Sequence, residues 1–481
     1  MSLQKNGIVE LTIEGMTAEG QGVGRADGMA VFVPLAAVGD RLSVRIVKVL
    51  KTYAFGRIEA ILSPAVARRP SDCPVYRQCG GCVYQHLTYE EEKRVKLQQV
   101  NDCLRRLVGL DFQIESLLST EGQSGYRNKA LYPLSEQDGH VTAGFYAVHS
   151  HRVIPHADCL LAPPFFGGIV RAATAFLERY GVPIYREASH TGVARHLYIR
   201  WGEATGEVMI CLVVNSGRLS GRTPAARAGD PPGLPPEQTA RCRTDCERAF
   251  VAAMRAACPQ TVGVLLCVNR ERTNVVLGDK FRTLWGRDTI EDELCGVRVR
   301  LAPGAFYQVN RAAAALLYGQ AAMLARLRPD DVLLDLYCGA GAIGLSMAGR
   351  VRRVIGVEVV PSAVENAREN ARLNGIANAE YLCADAAEAA ARLREQGVRP
   401  TVVVLDPPRK GCDAALIDTV AGMAPERVVY VSCNPATLAR DCRLFAEREY
   451  RPTEGKAVDL FPRTGHVETV CLLSRQTHMS I

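Results

Sequence analysis

The sequence predicts an α/β protein: a doubly wound, mostly parallel sheet, preceded by a small N-terminal β-barrel and a mixed α+β central domain. Three observations carry this. From about residue 311 strand-like runs alternate with helical stretches, the signature of parallel βα units. Residues 1–62 hold short strand-like runs between Gly- and Asp-rich turns, and closure into a barrel removes the edges such a small sheet would expose. The 481 residues suit about three domains at roughly 150 residues each.

Composition narrows the class. Hydrophobic residues are 48% and charged residues 23%, as in a soluble globular protein. The first residues lack a basic segment followed by an apolar run, and the longest apolar run, Val208–Val214, is far short of a membrane span. A membrane protein, a secreted miniprotein and a disordered chain are excluded, and a reducing cytoplasm is expected to hold the 17 cysteines. Fifty-eight Lys+Arg against 51 Asp+Glu give +7, a balance that permits a nucleic-acid partner without requiring one.

In chain order, GIVELTIEG, AVFVPLA, RLSVRIVKVL and GRIEAIL read as barrel strands, with Glu19-Gly20-Gln21-Gly22 and Ala26-Asp27-Gly28 as turns. From Ser63 the chain becomes Pro/Gly/Cys-rich and aperiodic. A helix over 95–108 follows, with Leu97, Val100, Leu104 and Leu107 on one apolar stripe. Strand-like runs at 207–214 and 262–268 flank Ser220–Arg243, whose five prolines and low apolar content suggest a surface insertion without a packed core. The alternating part begins with a helix over 311–328. Strands follow at 332–338, 354–359, 401–406 and 427–433, and a helix runs from Pro361 to before Gly375. The predicted domains are 1–62 (barrel), 63–94 with 125–290 (central), and 95–124 with 291–481 (doubly wound sheet).

Gly339, Gly341 and Gly344 form G-x-G-x-x-G directly after the strand ending at Cys338. Absent side chains permit a tight turn and close approach of a ligand to the backbone, although a packing turn would look the same. Glu358, about twenty residues on, stands where an acid accepts hydrogen bonds from ribose hydroxyls. Asp385 and Asp406 follow the next two strand-like segments at the same edge. A dinucleotide brings a pyrophosphate, whereas S-adenosylmethionine (SAM) brings a sulfonium and an amino group. The acid-rich edge, with Asp335 beside it, leans to SAM. Cys433 ends its strand where catalytic groups sit, although a buried structural thiol would fit the same pattern.

Together these residues resemble a known family, the SAM-dependent RNA (uracil-5-)-methyltransferases of 23S ribosomal RNA and tRNA. The resemblance runs through a TRAM-type (OB-like) barrel, a four-cysteine set, Phe306-Tyr307-Gln308-Val309-Asn310 and Asp335-Leu336-Tyr337-Cys338-Gly339. It continues through Asp406-Pro407-Pro408-Arg409 and Ser432-Cys433-Asn434-Pro435 to Phe461-Pro462-Arg463-Thr464-Gly465-His466-Val467-Glu468. It implies a Rossmann-like SAM domain in which the Cys433 thiolate adds to uracil C6 and Glu468 removes the C5 proton. It also implies SAM contacts from Gln308, Tyr337, Glu358, Asp385 and Asp406 beside the Gly339 and Gly341 turn. Asp406 is also placed to meet the uracil edge. Ala342 stands where some relatives carry bulkier or amide residues, so no side-chain contact is expected there.

Cys73, Cys79 and Cys82 are spaced C-x5-C-x2-C, with Cys159 far downstream. Four thiolates at such spacing can hold zinc or an iron–sulfur cluster. The resemblance favours [4Fe-4S] over zinc, in a structural or RNA-organising role. Basic residues crowd this stretch, and Arg127-Asn128-Lys129 and Lys410 are candidate phosphate contacts. The substrate expected is a loop or locally unfolded uridine of 23S rRNA, since a base must leave its stack to be reached. A monomer with no membrane partner is expected. The resemblance favours rRNA because tRNA-directed relatives commonly lack both the barrel and the four-cysteine set; tRNA is the alternative substrate, and a non-catalytic RNA-binding assembly protein and a dehydrogenase are the rivals from other classes.

Overall fold

The computed structural model describes residues 3–108, 112–221 and 236–476. The side chain of Leu107 and residues 222–235 of the proline-rich stretch lie outside the described residues. The N-terminal strands β1 (Ile8–Met16), β2 (Gln21–Ala26), β3 (Met29–Pro34), β4 (Arg41–Val49) and β5 (Tyr53–Ser63) close into a barrel in the order β1-β2-β3-β5-β4. Its core is the inward row of each strand, Leu11, Ile13, Val31, Val33, Leu42, Val44 and Ile46. Gln21-Gly22, which read as a turn in the sequence, instead open β2. Its glycines are there because the barrel is narrow. A β-carbon on Gly22 would stand 2.7 Å from that of Ala36, and one on Gly24 2.6 Å from Leu11.

Helix α1 (Tyr89–Val108) starts six residues before the predicted 95. Its first turn is Glu90, Glu91 and Glu92, which favour a helix N-terminus yet carry no apolar periodicity to reveal it. Val100 and Leu104 pack with Leu334, Val403 and Leu438 in the core of the C-terminal sheet, and β6 (Leu117–Leu118) joins that sheet's edge.

The central region is built from β7 (Lys129–Gln137), β8 (His140–Tyr146), β9 (Val153–Pro155), α2 (Phe165–Arg179), β10 (Ala194–Trp201), β11 (Val208–Val214), α3 (Pro236–Ala257), β12 (Thr261–Val268) and β13 (Lys280–Gly286). Its seven strands run β13-β12-β11-β10-β7-β8-β9. Phe166, Phe176, Phe250 and Met254 of α2 and α3 pack on Leu197, Ile210 and Leu266 of the sheet. Contrary to expectation, the proline-rich stretch is not irregular throughout: α3 begins at Pro236, inside it. Proline suits a helix start, so a composition that looks loop-like is also a helix signal there.

A hairpin, β14 (Ile290–Leu294) and β15 (Val297–Leu301), leads to α4 (Arg311–Leu324), which ends short of the predicted 328. Next come β16 (Val332–Leu336), α5 (Ala342–Met347), β17 (Arg353–Glu358), α6 (Pro361–Leu373), β18 (Ala379–Cys383), α7 (Ala386–Glu395), β19 (Val402–Leu405), α8 (Ala414–Gly422), β20 (Arg427–Ser432), α9 (Pro435–Ala446), β21 (Tyr450–Val458) and β22 (Glu468–Arg475). The sheet order is β18-β17-β16-β19-β20-β22-β21-β6. β18 to β20 are parallel, while β22 returns antiparallel to β20. The chain therefore reverses direction across the sheet between β16 and β19, the switch point where doubly wound sheets open a crevice. Among the described residues no helix is long and apolar enough to cross a membrane.

Candidate active site

The turn after β16 sits at that switch point. Gly339 and Gly341 take φ of 54° and 82°, and Tyr337 takes 65°. The three glycines do different work. A β-carbon on Gly341 would lie 2.8 Å from the Tyr381 hydroxyl, and one on Gly344 2.7 Å from the Asp335 carboxylate, whereas one on Gly339 would meet nothing within 4 Å. Two glycines thus serve packing, and Gly339 opens on free space at the crevice.

The acids along this edge are differently held. Asp335 is fully buried; Oδ2 accepts the Gly344 N–H at 2.9 Å and Oδ1 has no partner. Burial pushes its carboxyl up to about 7, against the Gly344 hydrogen bond and helped by the charges of Asp406 and Glu358. A buried carboxylate oxygen without a donor fits a cationic ligand group. Glu358 accepts the N–H of Gly339 (3.1 Å) and of Val360 (2.9 Å), which fixes its carboxylate beside the turn. Asp385 is exposed and caps α7, accepting the Ala387 N–H at 2.9 Å. Gln308 is buried: its carbonyl accepts from Asn128 Nδ2 at 2.9 Å, and Asn128 N–H donates to the Val309 carbonyl at 2.8 Å. That buries Asn128, so it is a strut between the central region and the C-terminal sheet rather than a phosphate contact.

Cys433 and Glu468 meet through strand register. β20 pairs with β22 with Ser432 opposite Thr469, so the next pair outward is Cys433 and Glu468. Asp406 follows β19, whose Leu405 is paired with Tyr430 of β20. Behind Cys433, Asn434 caps α9 by accepting the Ala436 N–H at 3.1 Å and donates through Nδ2 to the Arg409 carbonyl at 3.1 Å. The Asp406-Pro407-Pro408-Arg409 turn is thereby tied to the cysteine's own turn. Burial raises the half-buried Cys433 thiol, as do the charges of Glu468 and Asp406, while Arg409 lowers it. Burial raises Glu468 well above the ordinary carboxylate range, again with Asp406 adding and Arg409 opposing. Burial holds Asp406 at about 7.

Cys73, Cys79, Cys82 and Cys159 line one cavity of about 230 Å³, with Arg127, Lys129 and His156 on its walls. Burial raises Cys79, Cys82 and Cys159, and neighbouring thiols add to it. Among the described residues no group of three or more His, Cys, Asp or Glu is arranged to hold a metal ion. The expected [4Fe-4S] cluster, and zinc as its less favoured alternative, therefore find no preformed metal site among the described residues. Arg127 and Lys129 face this cavity rather than an open RNA surface. Burial and the charges of Arg200 and Arg127 bring Lys129 down to about 8.

Sequence reading missed Tyr381, whose buried hydroxyl has no partner beneath Gly341, and Phe306, an aromatic 66% exposed beside Gln308. The first has no motif to mark it. The second stood within a motif, but exposure cannot be read from sequence.

The arrangement defines a nucleotide-type cofactor crevice joined to a thiol and a carboxyl. Residues 278–476 match the family model described as tRNA (Uracil-5-)-methyltransferase, and residues 4–58 match the TRAM domain. A protein of Halalkalibacterium halodurans described as an uncharacterized RNA methyltransferase is 38% identical over 472 residues, 98% of each chain. One from Clostridium tetani is 36% identical over 472 residues, 98% of this chain and 97% of that one. The crystal structure of Pyrococcus abyssi tRNA (uracil-54, C5)-methyltransferase in complex with S-adenosyl-L-homocysteine is similar at a TM-score of 0.75 and 25% identity, covering 96% of this chain and 99% of that one. The chain belongs to the SAM-dependent RNA (uracil-5-)-methyltransferases that carry a TRAM domain.

Proposed function

We propose that the chain methylates C5 of a uridine in tRNA, with Cys433 as nucleophile and Glu468 as base. The juxtaposition of these two residues by strand register carries the reading. Cys433 loses its proton to solvent and adds as thiolate to uracil C6, which makes C5 electron-rich. SAM, when bound, supplies an electrophilic methyl group to C5. Glu468 then takes the C5 proton; the C–H electrons restore the C5–C6 double bond and the C6–S bond breaks to return the thiolate. Asp406, held at about 7, can present a proton or a lone pair to the uracil edge. Asp335, Glu358, Gln308, Tyr337 and the Gly339–Gly341 turn would hold SAM: its cationic amino group suits the unpartnered Asp335 oxygen, and its ribose suits Glu358. Asp385 lies at the same edge.

The sequence expectation was 23S rRNA, partly because tRNA-directed relatives commonly lack the barrel. The Pyrococcus abyssi enzyme, a tRNA methyltransferase, is similar over 96% of this chain, so the barrel does not separate the substrates. That likeness and the family description support tRNA. The second reading, 23S rRNA, is favoured by the four cysteines on one cavity, the feature that the resemblance ties to rRNA enzymes. Mapping 5-methyluridine in tRNA and rRNA from cells with and without the gene decides. Loss at a tRNA uridine is expected, loss confined to 23S rRNA replaces the first reading by the second, and no loss in either RNA contradicts both.

In the same reading Cys73, Cys79, Cys82 and Cys159 hold a [4Fe-4S] cluster with a structural role. Such a cluster takes one thiolate per iron around a cube, so its ligands are spread rather than convergent. Arg127 lies close enough to lower Cys82 and Cys159 and would offset their charge as thiolates. Iron and acid-labile sulfide are expected in the anaerobically purified protein and should be lost from a Cys82→Ser variant.

A further inference from the structure

The segment that brings Glu468 to the site is held from several sides, and Arg463 is the knot. It is 5% exposed and takes φ of 72°, a conformation that a bulky residue keeps only where its surroundings enforce it. Its N–H donates to Glu92 Oε1 at 2.6 Å. Its carbonyl accepts from the N–H groups of Val83 (2.9 Å) and Tyr84 (3.2 Å), the two residues after Cys82. Its guanidinium donates to the Leu87 carbonyl at 3.2 Å and to Gln123, faces Glu92 Oε2 at 3.4 Å and lies 5.6 Å from the centre of the Tyr89 ring.

Around this knot is a closed set of charges. Lys96 Nζ donates to Glu92 and to Asp459, both at 2.8 Å, and to the Phe461 carbonyl at 3.1 Å; the Tyr89 hydroxyl donates to Asp459 at 2.9 Å. Glu92, Lys96 and Asp459 are fully buried. With Arg463 they make two cations against two carboxylates. Buried ion sets of this kind contribute little net stability over apolar packing; what they supply here is a single geometry. Tyr126 and Asn310 add hydrogen bonds to the carbonyls of Pro462 (2.9 Å) and Leu460 (3.0 Å). Five residues beyond Arg463 the chain enters β22 at Glu468.

We propose that Arg463 is a positioning residue for the elimination half of the reaction: it locks the Glu468 segment to α1 and to the backbone that follows Cys82. The inference rests on the reading of Glu468 as the base. Formation of the covalent adduct depends on Cys433 and the cofactor crevice, on other strands of the sheet. Loosening the knot therefore slows proton removal and leaves adduct formation and SAM affinity intact, so the methylated enzyme–RNA adduct outlives its normal span.

The test uses the full chain, SAM labelled in its methyl group, and bulk tRNA and rRNA from cells lacking the gene. Two variants are compared with the parent. Arg463→Lys keeps the charge and loses the fork. Gln123→Ala frees the outer end of the guanidinium while the buried charges stay balanced, so a folding failure of the first does not end the test. Denaturing gels are expected to show the labelled adduct forming at the parental rate and decaying roughly ten-fold more slowly in Arg463→Lys, with a smaller delay in Gln123→Ala. The SAM dissociation constant should stay within about two-fold of the parent. Parental decay in every folded variant overturns the proposal, as does a parallel fall in adduct formation and SAM affinity, which would mark a general structural role. A parent that forms no adduct with 5-fluorouridine-substituted RNA defeats the underlying Cys433 chemistry instead, so the two failures are distinct.

Discussion

In the proposed reading, the choice of a cationic cofactor turns on Asp335. Its side chain is sealed in the sheet with one oxygen on the Gly344 N–H and the other unpartnered, and burial holds the carboxyl at about 7. A cationic group binds the ionised form, so below about 7 the site must first release a proton. SAM affinity is therefore predicted to fall by up to ~10-fold per pH unit as pH drops from about 7.5 to 5.5, and Asp335→Asn should weaken binding at the upper end and flatten the slope. Calorimetry across that range checks it, and pH-independent affinity in the parent would contradict it. Stability carries the opposite sign. The folded-state values of Asp335 and Asp406 are raised to about 7, so the stability they contribute is present at low pH and lost as pH rises towards and through about 7; burial raises Glu468 in the same direction.

At the scale of elements, the β16–α5 turn separates stability from binding. Gly341→Ala must keep a positive φ and press a methyl on the Tyr381 hydroxyl, so a loss of about 1–3 kcal/mol in folding stability is predicted. Gly339→Ala meets no protein atom, so its stability cost is only the backbone strain of about 1–2 kcal/mol, but the methyl intrudes on the crevice and SAM affinity should fall. Denaturant melts and titration of each variant distinguish the two; equal effects of both substitutions on SAM affinity at equal stability would contradict the assignment. What the sequence made legible follows from the same physics. β16, β17, β19 and β20 were plain because buried parallel strands are continuous apolar runs. β2 was hidden because its glycines answer to the barrel's narrow interior, not to a turn, and the start of α1 because Glu90–Glu92 lack periodicity. The acids of the sheet edge could be read from strand ends. That Asp385 stands exposed as a helix cap while Asp335 is sealed could not, because burial depends on what packs above each strand. Cys433 and Glu468 lie 35 residues apart, and no spacing rule pairs them; only the motif resemblance proposed a partnership, for which the antiparallel return of β22 provides the geometry.

At the scale of the whole molecule, the three parts converge on one segment, the stretch from Asp459 to Glu468. The backbone after Cys82 bonds to Arg463, the barrel reaches Gly465 through Ala18, and the central region bonds to Pro462 through Tyr126. The barrel and central region thus both pack against the segment that leads into Glu468. The proposed chemistry requires Cys433 to bond covalently to a uracil of the substrate RNA. Incubating the protein with SAM and 5-fluorouridine-substituted tRNA and rRNA tests it most directly, because fluorine at C5 leaves no proton for Glu468 to remove. An RNA adduct is expected that survives denaturation, maps to Cys433 by peptide mass and is absent from Cys433→Ser. No adduct with the folded, SAM-bound protein, or an undiminished one in Cys433→Ser, would contradict it.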